Sequence, residues 1–299
     1  MSVHQALNRL LSARFAAPVA VAVAASRIHR ESGLDFARAR ARAGFARGHL
    51  LEVVVYLPGG SGARAESEAA EALVQLLVGE ELFERWIGKV SATPTARGGP
   101  LTVLNSRTEE QAALPIERLL ETVHAAISGL QLGLSALPSD ARADDWFAFE
   151  LAPEPASDYA AQDDLVFCST RTPELKKSFL RAEPFFSGRF SNGGALFAYL
   201  KYESPEPDTA FRLAERTRFE AALSSSLSPA QGLVLGVGLG IRYGYIDLAV
   251  TDPDCVEQRL LPALRAAGIG RRAWLLFCDS ELEQDYVPVH SDSPPPYRR

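Results

Sequence analysis

The stretch GLVLGVGLGIRYGYIDLAVTDPD, residues 232–254, restricts the fold more than any other part of this chain. Gly236, Gly238 and Gly240 occupy every second position. Because side chains alternate between the two faces of an extended backbone, these glycines leave one face nearly bare. Such a face admits close approach of a helix, a neighbouring strand or another chain. The odd positions Leu233, Leu235, Val237, Leu239, Ile241, Tyr243 and Tyr245 form an apolar row on the other face. A three-residue turn over 238–240 keeps the two flanking strands in one facing. Arg242 is then the only charge on the glycine face, and the expected use of that face is contact with a protein partner or self-association.

A nucleotide cradle is the competing use of the same glycines, and the pattern does not support it. The dinucleotide fingerprint is GxGxxG between a strand and a helix. Here Ile241 stands where the third glycine belongs, and IRYGYIDLAV reads as a second strand. No helix N-terminus follows to receive a pyrophosphate.

The acids beyond the glycines form a second candidate site. Asp252 and Asp254 end the strand YIDLAVT, Asp279 ends AWLLFC, and a helix lies between them. A right-handed parallel crossover puts all three carboxylates at one sheet edge, where open α/β sheets hold ligands. Hard oxygen ligands so gathered suit Mg²⁺ and phosphoester hydrolysis. Capping explains each acid singly and is the preferred reading. Asp252 precedes Pro253, Asp254 complements the helix dipole, and Asp279 with Ser280 caps a short turn. Asp247 lies inside a strand, and is expected to pair with Arg242 or to face a cleft.

A third candidate combines Phe167, Phe197, Tyr199 and Lys201, on the two strands from which RNA-recognition sheets stack bases. The segment ALFAYLKY lacks the basic-Gly-aromatic opening of those modules, so these aromatics are expected in the core. Cys255 falls in the first turn of a helix and is read as buried and inert. RARAR at 38–42 is read as the solvated face of a helix.

Along the first half, the expected order is helix 3–15, strand 19–25, helix 27–46, the strand HLLEVVVYLP, and a helix over 63–89 broken at Gly79. The strand LTVLN and a helix over 109–134 follow. The valines at 19, 21 and 23 alternate with alanine, so FAAPVAVAVAAS is read as a strand in preference to a cleaved signal. In the second half LVFCST is a strand, and TPELKKSFL a helix capped by Thr172. FFSGRF and ALFAYLKY form a hairpin about Asn192-Gly193. A helix over 207–227 and GLVLGV complete β-α-β-β-α-β, the ferredoxin-like order, extended by a further β-α-β. The expected fold class is therefore α+β. An alternating α/β part spans 1–140 and a ferredoxin-like part spans 141–299.

Composition limits the function. The chain has 299 residues, 47% hydrophobic and 23% charged, with a formal net charge of -6. It can bury a sizeable core, and its acidity argues against general nucleic-acid binding. No run approaches the roughly 18 apolar residues of a membrane helix, and no membrane association is expected. Only four of 31 basic residues are lysines: Lys89, Lys176, Lys177 and Lys201. Three scattered cysteines and five histidines show no zinc spacing. These features lead to a cytoplasmic, bacterial-type binding or accessory protein that acts through protein contacts, without catalysis or cofactor. The alternatives are a divalent-metal phosphoester hydrolase using Asp252, Asp254 and Asp279, and an RNA-binding α+β module.

Overall fold

The chain is seen as a computed structural model that describes Gln5 and residues 15–95, 112–138, 145–181, 183–206 and 208–297. Two compact units are distinguished, Arg14–Gly133, and Met1–Ala13 with Leu134–Arg299.

In the Arg14–Gly133 unit the valine–alanine alternation does not produce a strand. Val21–Ser32 is helix α1, which buries Ala24 and Ile28 four residues apart and stops at Gly33 with φ 74°. Alanine is the strongest helix former, so the helical period prevails over the alternation. The helix expected over 27–46 ends accordingly at Ser32. Strand β1, Arg40–Phe45, contains most of RARAR, which is extended and not helical. It pairs antiparallel with β2, Leu51–Leu57, whose Leu51, Val53 and Val55 are fully buried. Helices α2, Arg64–Val78, and α3, Glu80–Trp86, meet at Gly79, whose φ of 84° suits glycine. Strand β3, Ile87–Pro94, runs parallel to β2, so the helix expected to reach Lys89 stops sooner. The short β4, Leu114–Pro115, gives the order β3-β2-β1-β4. Helix α4, Leu119–Gly133, buries Leu119, Val123 and Ile127 at helical spacing. The expected helix 3–15 and the strand LTVLN lie outside the described residues, apart from Gln5 and residue 15.

In the second unit the strands are β5 (Phe147–Glu150), β6 (Leu165–Thr170), β7 (Leu196–Glu203), β8 (Gly232–Gly240), β9 (Tyr243–Val250), β10 (Ala273–Phe277) and β11 (Tyr286–Pro288). They form one sheet in the order β11-β10-β7-β9-β8-β6-β5, antiparallel at every step. Helix α5 (Pro173–Leu180) follows β6 and α6 (Thr209–Ser226) follows β7. After β9 comes α7 (Pro253–Cys255), which continues through a π turn, Val256–Leu260, into α8 (Leu261–Ala266). The fold class is α+β.

The strand expected over FFSGRF is a 3-10 turn, Ser187–Arg189. Phe185 and Phe190 have opposite parity, so a strand would send them to opposite faces. The turn lets them stack at 5.2 Å and meet Phe197 edge-on at 6.0 and 6.2 Å. Asn192-Gly193 therefore closes no hairpin; Asn192 Nδ2 donates to the Leu134 carbonyl at 2.5 Å. The elements run β6-α5-β7-α6-β8-β9 and not β-α-β-β-α-β.

Two further details differ from the expected strands. Strand β8 continues through Gly240, and the hairpin turns at Ile241 and Arg242, so the turn has two residues and not three. A register shift between Val234 and Gly236 breaks the single apolar row. Leu235 consequently packs with Phe197 and Ala249, and Val237 with the helices. One sheet face, built from alternate residues such as Leu200, Ile246, Leu248 and Leu275, is covered by Phe219 and Leu223 of α6 and by Leu260 and Leu264. The opposite face carries Tyr199, Tyr243, Tyr245, Trp274 and Leu276, and is covered by Tyr159, Leu165 and Phe179.

Candidate functional site

The glycines of β8 open onto this second face, and the chain itself fills the space above them. A Cβ at Gly236 would lie 2.8 Å from the Ser169 carbonyl and 2.9 Å from Asp247 Oδ2. At Gly238 it would lie 3.1 Å from the Leu165 side chain, and at Gly240 it would fall on the Asp164 carboxylate. The missing side chains thus make room for β6 and for two buried acids.

Those acids anchor a polar network within the sheet. Asp247 is buried and accepts from Lys176 Nζ and Gln162 Nε2, both at 2.9 Å. Lys176 is itself buried and also donates to Gln162 Oε1 at 2.5 Å. Asp164 is fully buried, accepts from the backbone N–H groups of Arg242 (2.8 Å) and Tyr243 (2.9 Å), and takes the Tyr245 hydroxyl. Arg242, expected to pair with Asp247, instead reaches Glu203 at 2.6 Å and the Ser157 carbonyl at 2.8 Å. Lys201 is fully buried, donates to the Tyr159 carbonyl at 2.5 Å and lies 4.2 Å from the centre of the Tyr243 ring. Desolvation lowers its pKa to about 8, against the pull of Asp164 and Asp158.

The three acids expected at one edge do follow strands that point the same way. β9 and β10 are both antiparallel to β7, which lies between them, so they are not the neighbouring pair that the crossover implied. Asp252 caps α7, accepting from Asp254 N–H at 3.1 Å and from Gln231 Nε2 at 2.9 Å. Asp254 is exposed. Asp279 is buried and makes no cap hydrogen bond to its own turn. It accepts from Ser187 N–H at 2.7 Å and from the Ser187 hydroxyl. Among the described residues no group of three His, Cys, Asp or Glu is placed to hold a metal ion. Thr172 precedes α5 but makes no side-chain cap bond. Burial pushes the Cys255 thiol up to about 11. Phe197, Tyr199 and Lys201 are buried.

Beside the network lies a cavity of about 480 Å³. Its floor is the polar-network face of β7 and β10, with Tyr199, Leu276 and Cys278. Leu151–Pro153 after β5, Ala160–Asp163, the end of α5 and the turn that follows β10 form its walls. Among the described residues four acids line it, Asp163, Glu183, Asp279 and Glu283, and no lysine or arginine does. Among the described residues Glu183 Oε2 is enclosed without a hydrogen bond, Oε1 faces Arg181 at 3.8 Å, and the buried Arg189 guanidinium interacts electrostatically with Glu183 and Asp279. Desolvation holds both the Tyr199 phenol and the Cys278 thiol well above their usual ranges, so both stay protonated at neutral pH.

Sequence reasoning singled out Asp247, the glycines, Tyr199 and Asp279 but missed Gln162, Asp164, Lys176, Glu183 and Cys278. One signal was available: in a chain that otherwise uses arginine, two of the four lysines are buried in this unit. A lysine's compact charge on a flexible stem fits a closed site where a guanidinium fork does not. The walls combine segments more than a hundred residues apart, and no local motif marks them. Compared with models of protein families, with curated proteins and with solved structures, the chain matches none.

Proposed function

We propose that this chain is a non-catalytic binding or accessory protein whose ligand enters the cavity above Tyr199, Leu276 and Cys278. The observation that carries the reading is the cavity itself. Its volume of about 480 Å³ lies within the roughly 300–1000 Å³ of small-ligand sites. The neighbouring reactive groups are held out of chemistry. Cys278 and Tyr199 stay protonated, Asp279 is engaged by Ser187, and Lys176 is tied to Asp247 and Gln162. The glycine strand expected to meet another chain is covered by β6 and Asp164, so the binding surface moves from the strand to the cavity. Free thiols at Cys168, Cys255 and Cys278 suit a reducing compartment, which supports the cytoplasm as its location.

The test is a titration of the full chain with a neutral apolar dye such as Nile red. Saturable binding is expected, together with a loss of about tenfold or more when exposed Ala152, in the cavity wall, becomes Trp. Equal binding by the Ala152→Trp variant at unchanged Tm would remove the cavity as the site.

A further inference from the structure

We infer that the turn over residues 160–163 is a clasp on the cavity. Gln162 plugs a carboxamide subsite formed by Lys176 and Asp247, and a ligand that carries a primary amide on an apolar body opens the clasp by taking its place. This deepens the binding reading above, on which it rests, by giving the chemical class of the ligand and the movement that admits it.

Gln162 stands between two spaces. With Phe179 and Cys278 it lines the cavity of about 480 Å³. The same three residues also bound a small void, which Lys176 and Asp247 line while taking no part in the cavity itself. The Gln162 carboxamide thus separates the cavity from the buried ion pair.

The pair offers a donor and an acceptor side by side. Lys176 Nζ donates to Gln162 Oε1 at 2.5 Å, and Gln162 Nε2 donates to Asp247 Oδ1 at 2.9 Å. Lys176, Asp247 and Gln162 are all buried, so whatever displaces Gln162 must satisfy both partners. A ligand carboxamide does so with the same two atoms that Gln162 uses. An ammonium group would meet like charge at Lys176, and a carboxylate would meet it at Asp247. A hydroxyl puts both functions on one atom, short of the two places that Gln162 fills. The rest of the ligand lies on the apolar floor, where Phe179 and Tyr199 meet edge-to-face at 5.5 Å beside Leu276.

The backbone beside the plug is under strain. Ala161, in the cavity wall, has a φ of 36°, in the left-handed region that a Cβ disfavours. Such a conformation persists only where the surroundings impose it, and it collects at ligand clamps and switch segments. On one side the Tyr159 carbonyl is held by Lys201 Nζ at 2.5 Å, and on the other Asp164 is held by the N–H groups of Arg242 and Tyr243. Between those ties the Gln162 side chain fastens the turn to the ion pair. Its release relieves Ala161 and confines the movement to residues 160–163, because neither outer tie passes through Gln162. A glutamine that merely braced an ion pair would need neither a cavity in front of it nor a strained neighbour.

Calorimetric titration of the full chain with two matched aryl-alkyl ligands tests the assignment, one ending in a primary carboxamide and the other in the isosteric methyl ketone. The ketone keeps the acceptor and lacks the donor. The carboxamide is expected to bind about tenfold or more tightly than the ketone, the margin of one hydrogen bond to a charged group. Gln162→Ala removes the competing side chain, so carboxamide affinity should rise about tenfold or more over the wild type. If this variant fails to fold, hydrogen exchange in the wild type decides. The N–H groups of Asp163 and Leu165 close the turn on the Ala160 and Gln162 carbonyls at 3.0 and 3.2 Å. Saturating carboxamide should speed their exchange, and the ketone should not. Equal affinity for the two ligands, an unchanged carboxamide affinity in folded Gln162→Ala, or unchanged exchange at both groups overturns the clasp. The binding reading then stands as long as Ala152→Trp weakens Nile red binding. Nile red binding indifferent to Ala152→Trp at unchanged Tm overturns both.

Discussion

At Gly240 a single added methyl group meets a buried carboxylate. A Cβ there falls on Asp164, which already holds two backbone N–H groups and a tyrosine hydroxyl, so the acid has nowhere to retreat. Gly240→Ala is expected to cost roughly 1–3 kcal/mol in urea unfolding. Exposed Gly270, with nothing within 4 Å of its Cβ position, should tolerate alanine within about 0.5 kcal/mol. Equal cost at the two sites would count against the packing account of the glycine strand. Lys176 gives a larger effect. Lys176→Met leaves the Asp247 carboxylate buried with only Gln162, and about 3–5 kcal/mol should be lost. Adding Asp247→Leu should recover most of that loss, because the desolvated charge has gone. A double variant no more stable than the single one would mean that the ion pair itself carries the stability.

Elements defined by local chemistry are those the sequence reveals most directly. Helix α6 begins at Asp208, whose carboxylate accepts from Ala210 N–H at 3.4 Å and Phe211 N–H at 3.1 Å. Asp208→Ala should therefore cost about 1 kcal/mol by thermal or urea unfolding. At α7, Asp252→Asn keeps an oxygen for Asp254 N–H but places an amide against Gln231. A cost below about 1 kcal/mol is expected, since Asn caps nearly as well. Mg²⁺ should shift neither protein's melting beyond a salt control; a Mg²⁺-dependent rise that Asp252→Asn loses would restore the metal reading. The strands β7, β9 and β10 are also legible, as runs of aliphatic and aromatic residues between turns. By contrast, α1 and the 187–189 turn were misread because alternation over a few residues carries no information about which neighbours the side chains will meet. Alanine accepts either backbone, and Phe185 and Phe190 are drawn together by Phe197.

The whole molecule should show an alkaline profile set by its buried sheet face. Lys201 has a folded pKa of about 8, below its usual value of 10.5, because burial disfavours the charge. Between those values the unfolded chain holds the proton that the folded chain has released, so this residue's contribution to stability rises with pH. Its burial penalty is present in full below about pH 8 and is relieved as pH climbs toward 10.5. The relief amounts to roughly 3 kcal/mol. The tyrosines act in the opposite sense. Desolvation pushes Tyr243 up to about 12 and holds Tyr199 and Tyr245 higher than usual, so the unfolded phenols ionise first. Stability is expected to fall above about pH 10 on their account. Burial likewise raises the three thiols, which start the fall somewhat earlier. Comparison with Lys201→Met isolates the lysine. The stability difference, wild type minus variant, should move in favour of the wild type between pH 7.5 and 10, and a flat difference would refute the burial penalty.

What the sequence determined by itself was the α+β class, the apolar strands, the cap at Asp252, and the need for close packing over Gly236, Gly238 and Gly240. Each follows from forces acting within a few residues: backbone preference, alternation and hydrogen bonding to the nearest N–H. Only the tertiary structure decided which elements fill the glycine face, that β7 separates β9 from β10, and that Asp247 meets Lys176 and not Arg242. The cavity belongs to the same class, since residues 151–165, 179–185 and 276–284 come together there only through strand order. Such contacts are selected by the sum of buried surface and satisfied polar groups over the whole sheet, a quantity that no short window of sequence contains.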